Sequence, residues 1–401
     1  MDLTAEERAM LTGDLGPGVS QALEIIVALG RVYGAQRLVP VTSVQVAGVS
    51  YRNLGEAGLQ FLTEWAAQGA RARVPATLNP AGIDAAAWRE LGFSEEFARR
   101  QMAVVEAYET LGIAATCTCT PYLVGNVPSF GDHIAWSESS AVSYANSVLG
   151  ARTNREGGPS ALAAAIAGRT AAYGFHLDQN RRADLRVVVR CPVTTLSDFG
   201  ALGHLVGKHA RDRVPFFEGL GECSSTELKA LGAAMAASGA VALYHVDRVT
   251  PEAVRSGMLL PEHETLIVTD LRSAYASLNA DATEIDLVWF GCPHAGLEEM
   301  AQLARLLEGR RVTAATWVTT ARALRERAIE EGLVAAIEAS GARVLADMCL
   351  VVAPMQELAF RTMATPSAKG ASYVPSHAGL VVRFGTVQQC VEAAITGMWP
   401  T

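Results

Sequence analysis

The sequence predicts an α/β protein of several lobes, with largely parallel sheets and helices packed against them. Three observations predict it. Runs rich in valine and isoleucine alternate with longer stretches of helical period, which is the pattern of βα units. At 401 residues the chain exceeds what one hydrophobic core organises, so two or three lobes are expected. Cysteines stand just past several strand-forming runs, where open α/β sheets gather ligands.

In chain order the expected strands are RLVPVTSVQVAG, ARVPATL, AATCTCT, RADLRVVVRCPV, VALYHV, ETLIVTD, IDLVWFG, RVTAATWVTT, RVLADMCLVV and GLVVRFG. Helical periodicity fills Leu54 to Gln68, Ala85 to Leu111, Glu227 to Ser238, Gly296 to Glu308, Ala321 to Ser340 and Val387 to Met398. A polar stretch, DQNRRADLR, lies near residues 178 to 186. It marks the expected join between an N-terminal α/β lobe, 1–180, and a C-terminal part, 181–401, of one or more lobes.

The charged fraction is 18% and the net charge is -8, so a nucleic-acid surface or an anionic membrane is an unsuitable partner. A small metabolite suits the chain better. The opening MDLTAEERAMLTGDLG is acidic and amphipathic, unlike an export signal, and a cytoplasmic location is expected. Thr110 to Gly131 is uncharged, but Pro121, Gly125 and Pro128 would break a spanning helix, so it reads as a strand and a buried loop. Seven cysteines in an unexported chain point to thiol, metal or core roles rather than disulfides.

Cys119, Cys292 and Cys349 are far apart in sequence but each is read at a strand end. Three thiolates brought together there would hold an iron–sulfur cluster and leave an iron open to substrate; simple burial is the alternative for each. Cys117 would face the same way as Cys119 along a strand, which makes it a substitute ligand. Cys390 shares a helical face with Val387, Val391 and Ala394 and reads as core, while Cys191 and Cys223 have no evident partner. His294 follows Cys292 and Pro293, placed to hydrogen-bond a sulfur or to close a turn.

The densest polar segment runs from Gly131 to Gly158. Ala141, Val142, Ala145, Val148 and Leu149 recur there at helical spacing, with Ser137 or Ser139 as N-cap and Gly150 as the stop. Arg152 and Arg155 then precede Gly157, Gly158 and Pro159, a favourable first helical residue. Exposed amides, arginines and a new helix N-terminus form a cradle for a carboxylate or phosphate, though the same parts build ordinary helix entries. His133, upstream of Glu138, is placed to give or take a proton. Gly48, Val49 and Ser50, then Asn79 and Pro80, then Ser367 and Lys369 lie in three further loops at strand ends; each alone reads equally as a turn or as surface.

Taken together, LTAEERAML, SVQVAGVSY, TLNPAG, CTPY, ESSAVSYANSVLGARTNREGG, GCPH, MCLVVAP, TPSAKG and GLVVRFGTVQQCVEAA resemble the catalytic large subunits of the aconitase X family over nearly the whole chain. The resemblance implies a multi-lobed aconitase-like α/β core, cluster ligands at Cys119, Cys292 and Cys349, and substrate contacts at Gly48, Val49, Ser50, Asn79, Pro80, Glu138, Ser139, Ser367 and Lys369. Two departures stand out: DMC around Cys349 where DTC is expected, and a serine, Ser372, where relatives place a histidine before the tyrosine.

The implied activity is that of a hydro-lyase dehydrating a small anionic hydroxy acid. The family's substrates are (R)-5-phosphomevalonate in archaeal members and cis-3-hydroxy-L-proline in bacterial ones, and GARTNREGG is closer to the former type. The implied cofactor is a 4Fe–4S or 2Fe–2S cluster, or a single iron. His133 or Glu138 would protonate the departing hydroxyl, and Arg152, Arg155 and Lys369 would hold the anionic end. The family's small swivelling domain brings a catalytic serine, and the chain ends at Thr401 without room for it, so a small swivel-domain subunit is the expected partner. A non-catalytic iron–sulfur binding or regulatory role is the alternative of another class.

Overall fold

The computed structural model describes residues 1–254 and 257–400, which form four sheets flanked by helices. The largest is a five-stranded parallel sheet in the order Arg343–Ala346, Ala315–Thr320, Leu287–Phe290, Thr362–Thr365, Val381–Phe384. Its central strand, LVWF, is buried at every position, as expected of a parallel strand covered on both faces. From that strand the chain first builds outward to Arg343–Ala346, then crosses back to add Thr362–Thr365 on the other side. The carboxyl ends of Leu287–Phe290 and Thr362–Thr365 therefore flank a topological switch point, where such sheets leave a crevice. Cys292 follows one strand, and Ser367 and Lys369 follow the other.

A second parallel sheet has the order His245–Val246, Pro215–Glu218, Ala183–Val189, Leu259–Val268. Ala183–Val189 alternates buried and half-buried residues along its length, the period-2 signature of a pleated strand. Two shorter sheets complete the set. One is parallel, Ala76–Leu78 beside Val44–Val46 beside Ala135–Trp136, and the other pairs Leu38–Pro40 with Arg169–Ala171 antiparallel. One apolar cluster reaches from Ile83 and Trp88 through Leu185 and Phe217 to Trp289 and Phe384, so the core is continuous between the five- and four-stranded sheets, while the two short sheets pack in a second cluster.

Several sequence-based expectations are corrected. AATCTCT is not a strand: Thr77 and Ala114 make an isolated bridge, and Cys117 takes a left-handed φ of 39°, which breaks the extended run. The expected strand from Arg37 to Gly48 is two short strands in different sheets. The helix expected over Ala85 to Leu111 is Trp88–Leu91 and Glu95–Thr110, stopped by Gly92 in the left-handed region. Ala321 to Ser340 is likewise split at Gly332 into Arg322–Glu330 and Leu333–Glu338. Arg181, in the polar stretch, is not linker surface but a buried side chain paired with Glu252. Among the described residues no helix is long and apolar enough to cross a membrane.

Candidate active site

Three loops from different parts of the chain meet over the switch point. The first carries Cys119 without a preceding strand: Thr118 N–H donates to Leu78 O, which lays the segment beside the end of Ala76–Leu78. The second turns at Gly291, whose φ is 90° and where a Cβ would lie 2.1 Å from Thr319 O, so glycine is needed to bring Cys292 under the sheet end. The third carries Cys349. It is tied to the Asn79–Ala81 segment by hydrogen bonds from Ala81 N–H to Asp347 O (2.8 Å) and from Cys349 N–H to Ala81 O (3.1 Å).

Cys119, Cys292 and Cys349 line one cavity of about 220 Å³. Burial pushes all three thiols up to about 12, while the Lys369 ammonium acts against it at each. Cys119 and Cys292 also feel neighbouring thiols of the trio, as does Cys349. Such thiols stay protonated until a metal displaces the proton. The other cysteines stand apart: Cys390 is fully buried core, and Cys117 faces a different groove with Arg322 and Asp347, which removes it as a substitute ligand. Among the described residues no three His, Cys, Asp or Glu side chains are disposed to hold a single metal ion.

Opposite the cysteines lies an ion pair. Glu138 is the N-cap of the short helix Ser139–Tyr144, a role the sequence suggested for Ser137 or Ser139. One carboxylate oxygen accepts from Lys369 Nζ, Ser140 Oγ (3.0 Å) and Ser140 N–H (3.3 Å), and the other accepts from Asn79 Nδ2 (2.9 Å). Burial alone would raise this carboxyl, but the Lys369 charge and these hydrogen bonds outweigh it and hold it at about 2. Burial would likewise lower Lys369, yet Glu138 and the neighbouring thiols hold it well above the usual lysine value. Among the described residues Asn79 Oδ1 is buried without a hydrogen-bond partner, which leaves an acceptor for a ligand hydroxyl.

Most of the other expected residues border this cavity. Pro80, Ser139 and Arg155 line it. The Arg155 guanidinium makes no hydrogen bond or ion pair among the described residues, and it stands just before the helix Gly158–Ala167, whose N-terminus has no side-chain cap. Gly158 is needed there because a Cβ would lie 2.6 Å from Ala47 O, so the helix end abuts the Ala47–Gly48 turn. Gly48, Val49 and Ser50 stand behind the wall; Ser50 Oγ donates to Val352 O (2.7 Å), and Val352 faces the cavity. Ser367 caps the helix Ala368–Ala378 and lines an adjoining cavity with Cys292 and Lys369.

His133 and Arg152 are not brought to it. His133 Nδ1 lies 2.9 Å from His176 Nδ1, and Arg152 pairs with Asp178. Burial and the guanidinium groups of Arg152, Arg37 and Arg181 lower the His133 value, and this imidazole does not line the cysteine cavity. In contrast, Tyr373 and His377 line the cavity and were missed by sequence reasoning. The signal was present: Lys369, Tyr373 and His377 are four residues apart, one face of a helix. Of the two departures, the Met348 side chain lies wholly in the core, and Ser372 Oγ donates to Ala368 O (2.8 Å) beside His204.

Family models described as aconitase X first, second and third domain match residues 1–179, 183–276 and 285–396. The phosphomevalonate dehydratase large subunit of Methanothermobacter thermautotrophicus is 52% identical over 94% of this chain and 95% of its own. The crystal structure of Thermococcus kodakaraensis aconitase X in its holo-form superposes with a TM-score of 0.92 at 46% identity, covering 98% of this chain and all of that one. A cis-3-hydroxy-L-proline dehydratase of Pseudomonas aeruginosa is 36% identical over 99% of this chain but 70% of its own.

Proposed function

This chain belongs to the aconitase X family, and on that premise we propose that it is the large subunit of an iron–sulfur dehydratase that removes water from (R)-5-phosphomevalonate. The observation that carries the proposal is the meeting of three cysteine thiols, one buried and two half-buried, an ammonium–carboxylate pair and an uncommitted guanidinium in one cavity. The higher identity and matching length of phosphomevalonate dehydratase large subunits favour this substrate over cis-3-hydroxy-L-proline. So does Arg155 beside an uncapped helix N-terminus, an arrangement suited to phosphate.

The donor set fits an iron–sulfur cluster. Cys119, Cys292 and Cys349, which line one cavity, would hold it. When bound, the cluster supplies Lewis-acid chemistry at an iron without a protein ligand, for the hydroxyl that leaves. Arg155 and the amides at Gly157 and Gly158 bind the phosphate end. Lys369 Nζ, held protonated, donates to the substrate's carboxylate, and Asn79 Oδ1 accepts from a hydroxyl. Glu138 is ionised and so neither protonates a leaving group nor acts as a strong base; it orients Lys369 and Asn79. The proton from carbon is then taken by a group supplied at the cavity mouth by a small swivel-domain subunit, in keeping with relatives named as large subunits.

The proposal is tested by purifying the chain anaerobically with a cognate small subunit and offering both substrates. Loss of one water from (R)-5-phosphomevalonate, with little from cis-3-hydroxy-L-proline, is expected. An iron-loaded complex that dehydrates only hydroxyproline, or neither, contradicts it.

A further inference from the structure

His294 is one residue past the proline that follows Cys292, it is 1% exposed, and its four polar groups go to four places. Its backbone N–H donates to Cys119 Sγ at 3.2 Å. Ring Nε2 lies 2.9 Å from Met348 O, in the loop of Cys349. Ring Nδ1 lies 3.0 Å from Thr118 Oγ1, in the loop of Cys119. Its carbonyl accepts from Lys229 Nζ at 3.3 Å, on the helix Ser225–Gly239. These partners fall in the segments matched as first, second and third domain, so one side chain and its peptide link all three.

The hydrogen positions follow from the partners. A carbonyl only accepts, so Nε2 carries the ring hydrogen and donates to Met348 O. Nδ1 is then an acceptor, and the Thr118 hydroxyl donates to it. Thr118 Oγ1 in turn accepts from Thr120 N–H at 3.1 Å and lies 3.1 Å from Thr120 Oγ1. The chain Thr120 to Thr118 to His294 to Met348 runs one way, through the interior, between two of the thiol-bearing loops.

We propose that His294 is the positioning residue for the cysteine trio, holding the Cys119 and Cys349 loops in register with Cys292 through this directed hydrogen-bond chain. The inference rests on the cluster reading above and deepens it. A histidine that merely satisfied itself in the core would need one partner on each nitrogen, but would have no reason to take both from loops that carry thiols. Residues of this kind, one shell out from a metal ligand, carry about 10- to 100-fold in metal affinity.

The experiment reconstitutes the full chain anaerobically with iron and sulfide and follows iron loss to a chelator, together with the visible and electron-paramagnetic spectra. His294→Ala removes both ring contacts and leaves the backbone N–H to Cys119. It should lose iron about 10- to 100-fold faster than the parent and show an altered cluster spectrum. Thr118→Val keeps the ring but removes the hydroxyl that bridges Thr120 and His294, so it should lose iron severalfold faster, and Thr118→Ser, which keeps the hydroxyl, should restore the parent rate. If His294→Ala does not fold, Thr118→Val and Thr118→Ser decide. Parent-like iron retention and spectra in a folded His294→Ala, or in Thr118→Val, overturn the proposal. A parent chain that takes up no iron overturns the cluster reading itself, a result distinct from equal retention by parent and variants.

Discussion

Glu138 and Lys369 are 231 positions apart, yet they form an ion pair at the cysteine cavity with side-chain exposures of only 13% and 8%. Each is the other's principal opposite charge, so neither can be removed alone without stranding a buried charge.

Lys369→Met should therefore destabilise the chain by about 3–5 kcal/mol, as for other buried pairs broken on one side. The double variant Lys369→Met, Glu138→Gln should recover much of that loss. Urea unfolding of the three proteins checks it, and a double variant no more stable than Lys369→Met would contradict a paired charge.

The same pair sets a pH dependence. The folded Glu138 value lies near 2, below its ordinary value of 4.5, so its stabilising contribution is complete above about 4.5 and is lost as pH falls toward 2. Glu138→Gln should flatten the stability curve across that window. Thermal unfolding of both proteins from pH 2 to 7 measures it.

Arg155 and Arg152 are three residues apart, but only Arg155 lines the cavity. Losing one charge-assisted hydrogen bond is worth about 1.5–3 kcal/mol, so Arg155→Gln should raise KM for (R)-5-phosphomevalonate roughly ten- to hundredfold. Arg152→Gln should leave KM near the parent value. Steady-state kinetics of the complex with its small subunit distinguish the two, and equal KM effects would remove Arg155 from phosphate binding.

That contrast shows what the sequence carried and what it did not. Parallel strands could be read from their apolar runs, and with them Cys292 and Cys349, which lie just past Leu287–Phe290 and Arg343–Ala346. Cys119 lines the same cavity, but not from a strand end, since a left-handed Cys117 replaces the expected strand. His133, Glu138, Arg152 and Arg155 are close in sequence but face different ways. The π-helical turn Ala145–Leu149 and the bridges His133 to Arg152 and Trp136 to Arg155 lay the two segments side by side, so alternate residues diverge. The helix Ala368–Ala378 was hidden by Pro375 and Gly370, and with it the cavity-facing Tyr373 and His377.

Cys119→Ser, Cys292→Ser and Cys349→Ser should each abolish bound iron after anaerobic reconstitution. Cys117→Ser and Cys390→Ser should keep it, because one faces a separate groove and the other the core. Iron and acid-labile sulfide per chain are the readout.

The most direct measurement is the Mössbauer spectrum of the chain reconstituted with iron-57, alone and with (R)-5-phosphomevalonate added. If three thiols hold a cluster whose remaining iron faces the substrate cavity, one iron component should shift on addition while the others stay. A spectrum with a single mononuclear iron, or a cluster indifferent to the substrate, would contradict it.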